Sequence, residues 1–194
     1  MMNYFAIEGI DTCGKSTQIL KLKEIYTNAV FTKEPGGSQI GSVIRKIVLE
    51  DDSLDERARF LLFLADRAQH IKEVISKNEG KLIFSDRSVV SGISYARKNI
   101  ENDEFLIQSN IFATNGFLPS HIFVLFLSKE ELEKRLSLKT IDAIEKQGID
   151  YLLKVQDDMV WAIEKLNLKY SVIDASLKID EITKQIQRVV DAST

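Results

Sequence analysis

Residues 9–16 read Gly-Ile-Asp-Thr-Cys-Gly-Lys-Ser, and a short apolar run, Tyr4-Phe-Ala-Ile7, leads straight into them. This order constrains the fold more than any other stretch. A buried strand has to feed a glycine turn, and a helix has to leave it, because from Lys15 onward Ile19, Leu22 and Tyr26 recur at spacings of three and four. The glycines let main-chain N–H groups converge on phosphate oxygens, and the new helix adds its positive dipole end. The loop residues Gly9, Ile10, Asp11, Thr12, Cys13, Gly14, Lys15, Ser16 and Thr17 are therefore candidates for holding ATP. Lys15 is expected at the β- and γ-phosphates and the Ser16 hydroxyl on Mg²⁺. Cys13 reads as a small loop residue rather than a nucleophile, since no histidine lies near it in sequence.

Four more apolar segments read as strands: Val30–Thr32, Leu82–Phe84, Ile122–Leu127 and Tyr170–Ile173. Helical patterns separate them. One covers Ile40 to Leu49, and a long one runs from Leu54 to Lys77 with Leu61, Leu64, Ala68, Ile71 and Ile75 as its apolar positions. Another runs from about Ser91 to Phe117, with room for a break between Asn99 and Asp103. Ser128 and Glu131 have the spacing of a capping box for the helix holding Leu132 and Leu136. Further helices follow Gly148, extending to about Leu168, and begin near Ile179. Five apolar strands alternating with helices predict an α/β fold, a five-stranded parallel sheet with helices on both faces in the three-layer manner of P-loop NTPases. There is no internal repeat or Pro/Gly-rich linker, so residues 1–194 are expected to form one domain, with its sites at the carboxyl ends of the strands.

Bulk properties narrow the partners. A net charge of −3 provides no basic field for a nucleic-acid polymer. The apolar runs are too short to span a bilayer, which argues against a membrane partner. A single cysteine excludes an internal disulfide, and the chain opens directly into a strand pattern; a cytoplasmic location is the expectation.

Three segments beyond the glycine loop could hold a second phosphorylated molecule. They are Phe31-Thr-Lys-Glu-Pro-Gly-Gly37, the stretch Phe60-Leu-Leu-Phe-Leu-Ala-Asp-Arg-Ala-Gln-His70, and Asp86-Arg-Ser-Val-Val-Ser-Gly-Ile-Ser-Tyr95. No Asn-Lys-x-Asp segment of the kind that reads guanine occurs. With the glycine loop, these segments closely resemble the thymidylate kinases, the bacterial branch of the nucleoside monophosphate kinases, over nearly the whole chain. The resemblance implies transfer of the ATP γ-phosphoryl group to dTMP, with ATP and dTMP as small-molecule partners, Mg²⁺ as cofactor and a homodimeric assembly. Asp11 then corresponds to the acid that receives the sugar 3′-hydroxyl, Phe63 to the aromatic that stacks on thymine, and Arg67 to the residue that hydrogen-bonds the base. Arg45 and Arg87 correspond to arginines near the acceptor phosphate. Lys33, Glu34 and Pro35 line the acceptor pocket, with Pro35 at a position where the family commonly shows a cis peptide. Ser91 makes a polar contact in the pocket, Tyr95 lies beside C2′ of the sugar, and Asp86 holds Mg²⁺ through water. His70, His121 and Trp161 read as structural.

The chain also leaves the family pattern. The expected lid, residues 135–148, carries Asp142-Ala-Ile-Glu145 where many relatives have Asp-Arg-Ile-Glu, so Lys139 becomes the candidate lid residue at the transition state. Arg135 has the alternative of belonging to the helix before the lid. Gly92 and Ala96 stand where relatives have polar side chains, and Arg97 is a candidate to compensate. A kinase for another nucleotide or a deoxynucleoside, and a nucleotide-dependent switch without transfer, remain open alternatives.

Overall fold

The computed structural model describes residues 3–51, 53–138 and 148–193. Five strands, β1 (Tyr4–Glu8), β2 (Val30–Lys33), β3 (Ile83–Asp86), β4 (His121–Phe126) and β5 (Tyr170–Asp174), form one sheet in the order β2-β3-β1-β4-β5. Every pairing is parallel. Burial follows position. The central strand β1 is buried at every residue, whereas the edge strands β2 and β5 are only partly covered. A parallel sheet enclosed by helices requires such continuous apolar runs in its middle strands.

Register is fixed by aromatic rings. Phe31 pairs with Phe84 and Phe84 with Phe5 across three strands, with ring centroids 5.2 and 5.8 Å apart. The same register sets Asp86 opposite Ile7 on one side and Lys33 on the other. A slip of one residue would turn each of these side chains to the other face. Beyond the strands, Arg87 N–H donates to the Ile7 carbonyl and Glu34 N–H to the Asp86 carbonyl, at 3.0 Å each. The three strand ends that carry the site are thus stitched together by main chain.

Eight α-helices surround the sheet: α1 (Lys15–Ile25), α2 (Gln39–Glu50), α3 (Glu56–His70), α4 (Val89–Ala96), α5 (Asp103–Thr114), α6 (Lys129–Leu136), α7 (Ile149–Lys165) and α8 (Ile179–Asp191), counted among the described residues. Two expectations need correction. The long helix expected from 54 to 77 is α-helical only to His70; its turns widen over Ile71–Ile75 and tighten over Ser76–Asn78. Its apolar positions are also not all inward. Leu61 and Ala68 are exposed, and the buried face of α3 presents Phe60, Asp66, Arg67 and His70. The helical stretch over 91–117, by contrast, breaks where the sequence left room for it: α4 ends at Ala96 and α5 begins at Asp103, with the Asn102 side chain capping the second by accepting from Phe105 N–H at 2.9 Å. Half of the Ser128–Glu131 box forms. Ser128 accepts from Glu131 N–H, but the Glu131 carboxylate turns along α6 to pair with Arg135 at 2.8 Å.

Candidate active site

The glycine loop closes against its own strand neighbour. Gly9 stands at φ +147°, and a Cβ there would lie 2.6 Å from Cys13 Sγ and 2.7 Å from the Leu125 carbonyl oxygen. The same contact accounts for Cys13, which is buried as packing under the loop. Lys15 is buried too; its ammonium donates to the carbonyls of Gly9 and Ile10 at 2.9 and 2.8 Å and lies 3.9 Å from Asp11. Thr12 adopts φ +69°, and its carbonyl accepts from Arg135 Nη1 at 3.0 Å. Arg135 Nη2 reaches the Ala175 carbonyl after β5 at 2.6 Å. Arg135 therefore sits on the fixed helix α6 and braces the loop from behind. Lys139 lies outside the described residues.

Ser16 and Asp86 are 70 residues apart in sequence, yet Ser16 Oγ donates to Asp86 Oδ2 at 3.3 Å. Asp86 Oδ1 is buried and receives no hydrogen bond. A hydroxyl beside a carboxylate with an unsatisfied oxygen fits a hard cation. Among the described residues no cluster of three or more His, Cys, Asp or Glu side chains could hold a metal by itself. A cation at this place would draw its remaining ligands from phosphate and water.

A cavity of about 490 Å³ opens over the loop. Asp11, Lys15, Ser16, Arg45, Asp86 and Arg87 line it, and the rest of its wall comes from Thr12, Gly14, Thr17, Lys33 and Glu34. All of the lining positions were singled out from the sequence. Arg87 anchors the far wall. Its backbone lies at φ +72°, supported by Ser85 Oγ donating to the Arg87 carbonyl at 2.7 Å. Nη2 donates to Asp11 Oδ1 at 2.6 Å, and Nη1 to Ser91 Oγ at 2.9 Å and the Gly9 carbonyl at 3.2 Å. The guanidinium carbon stands 5.2 Å from the Tyr95 ring. Burial works against its charge, but Tyr95, Asp11, Glu8 and Asp86 outweigh that and raise its pKa further. Arg45 reaches over from α2, donating to the Pro35 carbonyl at 2.9 Å. The Glu34–Pro35 peptide is cis, as the resemblance implies.

Arg67 is positioned differently. It is 3% exposed, and its three nitrogens donate to Glu34 Oε2 at 2.9 Å, Asn110 Oδ1 at 2.5 Å and the Ser88 carbonyl at 3.3 Å. Glu34, equally enclosed, shares its other oxygen with His70 Nδ1 at 2.9 Å, and His70 Nε2 pairs with Thr32 Oγ1 at 2.7 Å. Burial pushes the Glu34 pKa up, but Arg67 and His70 outweigh it and the net shift is downward. Asp66 takes the Gly36 N–H at 2.9 Å, and burial raises its pKa. The Glu-Pro-Gly-Gly segment is thus gripped from α2 by Arg45 and from α3 by Asp66, Arg67 and His70. Gly92 explains itself here: a Cβ at 92 would lie 2.4 Å from Arg67 Nη2, so a side chain there would push on a guanidinium already held by Glu34 and Asn110. Phe63 is half-buried on α3, and the Tyr95 hydroxyl is buried without a hydrogen bond. Arg97 does not turn to the cavity. It pairs with Asp103 and with Asp158 and lies 3.6 Å from the Trp161 ring centroid.

Sequence reasoning missed Glu8, Asp66, Ser88 and Asn110, and gave His70 no part in the loop. Glu8 is the clearest omission. It ends β1 fully buried, accepting from Ser88 Oγ at 2.7 Å, from Ser91 N–H at 3.2 Å and from Ser91 Oγ at 2.5 Å. The available signal was an acid set between the apolar run Tyr4–Ile7 and Gly9.

A parallel sheet with a glycine loop between β1 and α1, and a serine in the first turn of α1 beside the aspartate that ends β3, defines a P-loop NTPase fold. Within that class the chain belongs to the thymidylate kinase family, whose model, described as "Thymidylate kinase", matches residues 7–186. It is 54% identical over 184 residues to the thymidylate kinase of Sulfurimonas denitrificans, covering 94% of this chain and 96% of that protein. The Aliarcobacter butzleri thymidylate kinase is 52% identical over 95% of this chain and 96% of its own length. The Helicobacter hepaticus thymidylate kinase is 48% identical over 97% and 98% respectively.

Proposed function

We propose that this protein transfers the γ-phosphoryl group of ATP to dTMP, giving dTDP and ADP. The observation that carries the reading is a single cavity whose wall contains the phosphate loop with Lys15 and two arginines, Arg45 and Arg87, delivered by other elements. Family membership supports dTMP over other acceptors.

The acceptor is itself a phosphate, ionised at neutral pH, so the reaction needs no general base. What remains is alignment and neutralisation of charge on the transferring group. The loop amides and Lys15 hold the donor phosphates; Lys15 exchanges its bonds to the Gly9 and Ile10 carbonyls for phosphate oxygens. Arg45 and Arg87 grip the acceptor phosphate with planar forks, which suit two oxygens at once. Ser16 and Asp86 are the residues that would hold Mg²⁺, which screens the charge of the phosphate chain when bound. Asp11 stands beside Arg87, where the acceptor sugar would approach, and Lys139 is the proposed lid contribution. Phe63 and Arg67 frame the base side of the acceptor pocket from α3.

The protein works as a cytoplasmic enzyme and as a homodimer in this reading. No described helix is long and apolar enough to cross a membrane. Large apolar side chains stand exposed on α3 and α5: Leu61 at 59%, Phe105 at 52% and Phe112 at 87%. Burying such a patch against a second copy removes it from water. Light scattering of the purified protein checks the assembly, with a monomer at micromolar concentration as the contrary result.

The decisive assay mixes protein, magnesium and ATP with dTMP, dUMP, dCMP, dGMP or thymidine and follows the products. dTDP from dTMP is the expected dominant product. ATP binding without dTDP would leave a switch module, and preference for thymidine would remove the roles of Arg45 and Arg87.

A further inference from the structure

Glu8 is a buried carboxylate that the transfer reaction does not use, placed where an anion is least welcome, beneath a loop that binds phosphate. An ionised acid out of water is costly unless its lone pairs are met. Here they are met by three donors, and all three come from residues 88 and 91, at the start of α4. Ser91 joins this acid to the cavity. Its one hydroxyl proton goes to Glu8 Oε2 at 2.5 Å, which leaves its oxygen to accept from Arg87 Nη1 at 2.9 Å. The row Glu8–Ser91–Arg87–Asp11 alternates acceptor and donor from the core to the cavity wall.

We infer that Glu8 is a positioning residue for Arg87, setting through the Ser91 hydroxyl the place at which the guanidinium meets the acceptor phosphate. The inference rests on the phosphoryl-transfer reading for the identity of that phosphate. Two further observations favour it. Arg87 has a left-handed backbone at φ +72°, so its direction is held by contacts rather than by a relaxed chain. Glu8 also lies one residue before Gly9, whose carbonyl receives the same Nη1 at 3.2 Å, so one strand end sets two of the three groups that bond Arg87.

Glu8→Gln separates this role from mere burial, because its effect is dictated by the hydrogen-bond directions. The Ser91 main-chain N–H can only donate, so the glutamine oxygen must take the place of Oε1. The amide nitrogen is then forced to the place of Oε2, facing Ser91 Oγ with a donor. Ser91 loses the acceptor of its own proton, and Arg87 loses the negative charge behind Ser91.

The test is steady-state kinetics on E8Q, Ser91→Ala and the double variant, with dTMP and ATP varied in turn. Each single variant is expected to raise KM for dTMP by about tenfold or more, the factor carried by a hydrogen bond to a charged group. KM for ATP should move by less than about twofold. The double variant should be no worse than S91A alone, since both act through one hydroxyl. A purely structural Glu8 would lower the melting temperature and the active fraction without splitting the two KM values. Equal shifts for both substrates, additive penalties or unchanged KM for dTMP overturn the inference. If E8Q does not fold, Glu8→Asp takes its place beside S91A, because the shorter carboxylate withdraws from Ser91 Oγ; the same split between the two KM values supports the inference, and an unchanged KM for dTMP overturns it. A wild-type protein that makes no dTDP removes the proposed function and not this inference, which a crystal structure of the better-folded variant, E8Q or S91A, then decides. Displacement of Arg87 from Asp11 supports it, and an unmoved guanidinium overturns it.

Discussion

On its glycine-loop side the cavity is built from consecutive residues and main-chain atoms, whereas its arginine side is built from side chains at the ends of β2 and β3 and from Arg45 of α2, held in place from α3 and α4. The first side needs little support. Gly9 packs on Cys13 and Leu125, Lys15 lies on the loop's own carbonyls, and Arg135 steadies Thr12 from outside. The second side needs a great deal. Residues 34–36 are held by Arg45, Asp66, Arg67 and His70, and Arg67 itself leans on Asn110 and Ser88. A phosphate can be gripped by geometry intrinsic to a short segment, while a second molecule must be placed by a network that spans the fold. Damage therefore falls differently: changes on the loop side should strike turnover and spare stability, and changes on the arginine side should strike both.

Arg67→Ala is the strongest way to break that contrast. It leaves the Glu34 carboxylate buried beside His70 with its main partner gone. Removing one member of a buried ion pair costs about 3–5 kcal/mol. Urea unfolding should show a loss of that size, together with a higher KM for the acceptor; a loss under about 1 kcal/mol would mean the network is not holding the segment. The pH dependence follows from Glu34. Its pKa is held below the ordinary 4.5, so it binds fewer protons folded than unfolded. Its stabilising contribution is therefore complete above that ordinary value and is lost as pH falls through the lower folded one. Glu34→Gln should accordingly be less stable than the wild type at neutral pH, and the gap should narrow below pH 4.5. A gap independent of pH would show that the carboxylate's charge is not what matters.

Lys15→Ala tests the other side. Loss of one charge-assisted donor on the transferring phosphates lowers kcat by about 10²-fold or more, on the order of 3 kcal/mol. Its melting temperature should stay near that of the wild type, because the ammonium bonds only groups of its own loop, the Gly9 and Ile10 carbonyls and Cys13 Sγ, and stands near Asp11. Near-normal kcat would remove Lys15 from the chemistry, and marked unfolding would erase the distinction between the two sides.

The same division explains what sequence reasoning reached. The loop and the five strands were legible because each is local: a contiguous motif, or an apolar run bounded by turn residues. Ser16 and Asp86 were both expected at Mg²⁺, and the β1–β3 register together with the loop that returns α1 over the strand ends sets them 3.3 Å apart. The α3 face was misread because periodicity counts apolar residues, and this helix turns Asp66, Arg67 and His70 inward to serve a loop 30 or more residues away in sequence. Leu61, one of its apolar positions, is left on the surface of the chain for the same reason. Glu8 escaped notice within an apolar strand, since its partners Ser88 and Ser91 are 80 and 83 residues distant. A polar network has no period, so its members look like isolated polar residues until the fold assembles them.

Gly92→Ala gives a smaller and more local effect. Its Cβ would meet Arg67 Nη2 at 2.4 Å and Nη1 at 2.7 Å, and Arg67 has no slack because Glu34 and Asn110 hold it. Overpacking of this kind costs about 1–3 kcal/mol. Stability should fall by that amount with the acceptor KM rising alongside; a neutral substitution would mean that Arg67 is free to yield.

The smallest effect belongs to Arg97, and it sharpens the boundary of the arginine side. Its guanidinium is tied to Asp103 and Asp158 and stands over Trp161, 3.6 Å from the ring centroid. These contacts join the end of α4 to α5 and α7 rather than to the cavity. With the side chain 24% exposed, the ion pairs are partly screened, so Arg97→Ala should cost about 1 kcal/mol, most of it from the ring contact and from Asp158. Asp158 keeps Lys154 as a partner at 2.5 Å, which limits the loss. KM for dTMP should remain that of the wild type, and Trp161→Leu combined with Arg97→Ala should cost less than the sum of the two. An acceptor KM that rises while stability holds would carry Arg97 across the boundary, and the contacts missing at Gly92 and Ala96 would then have their substitute after all.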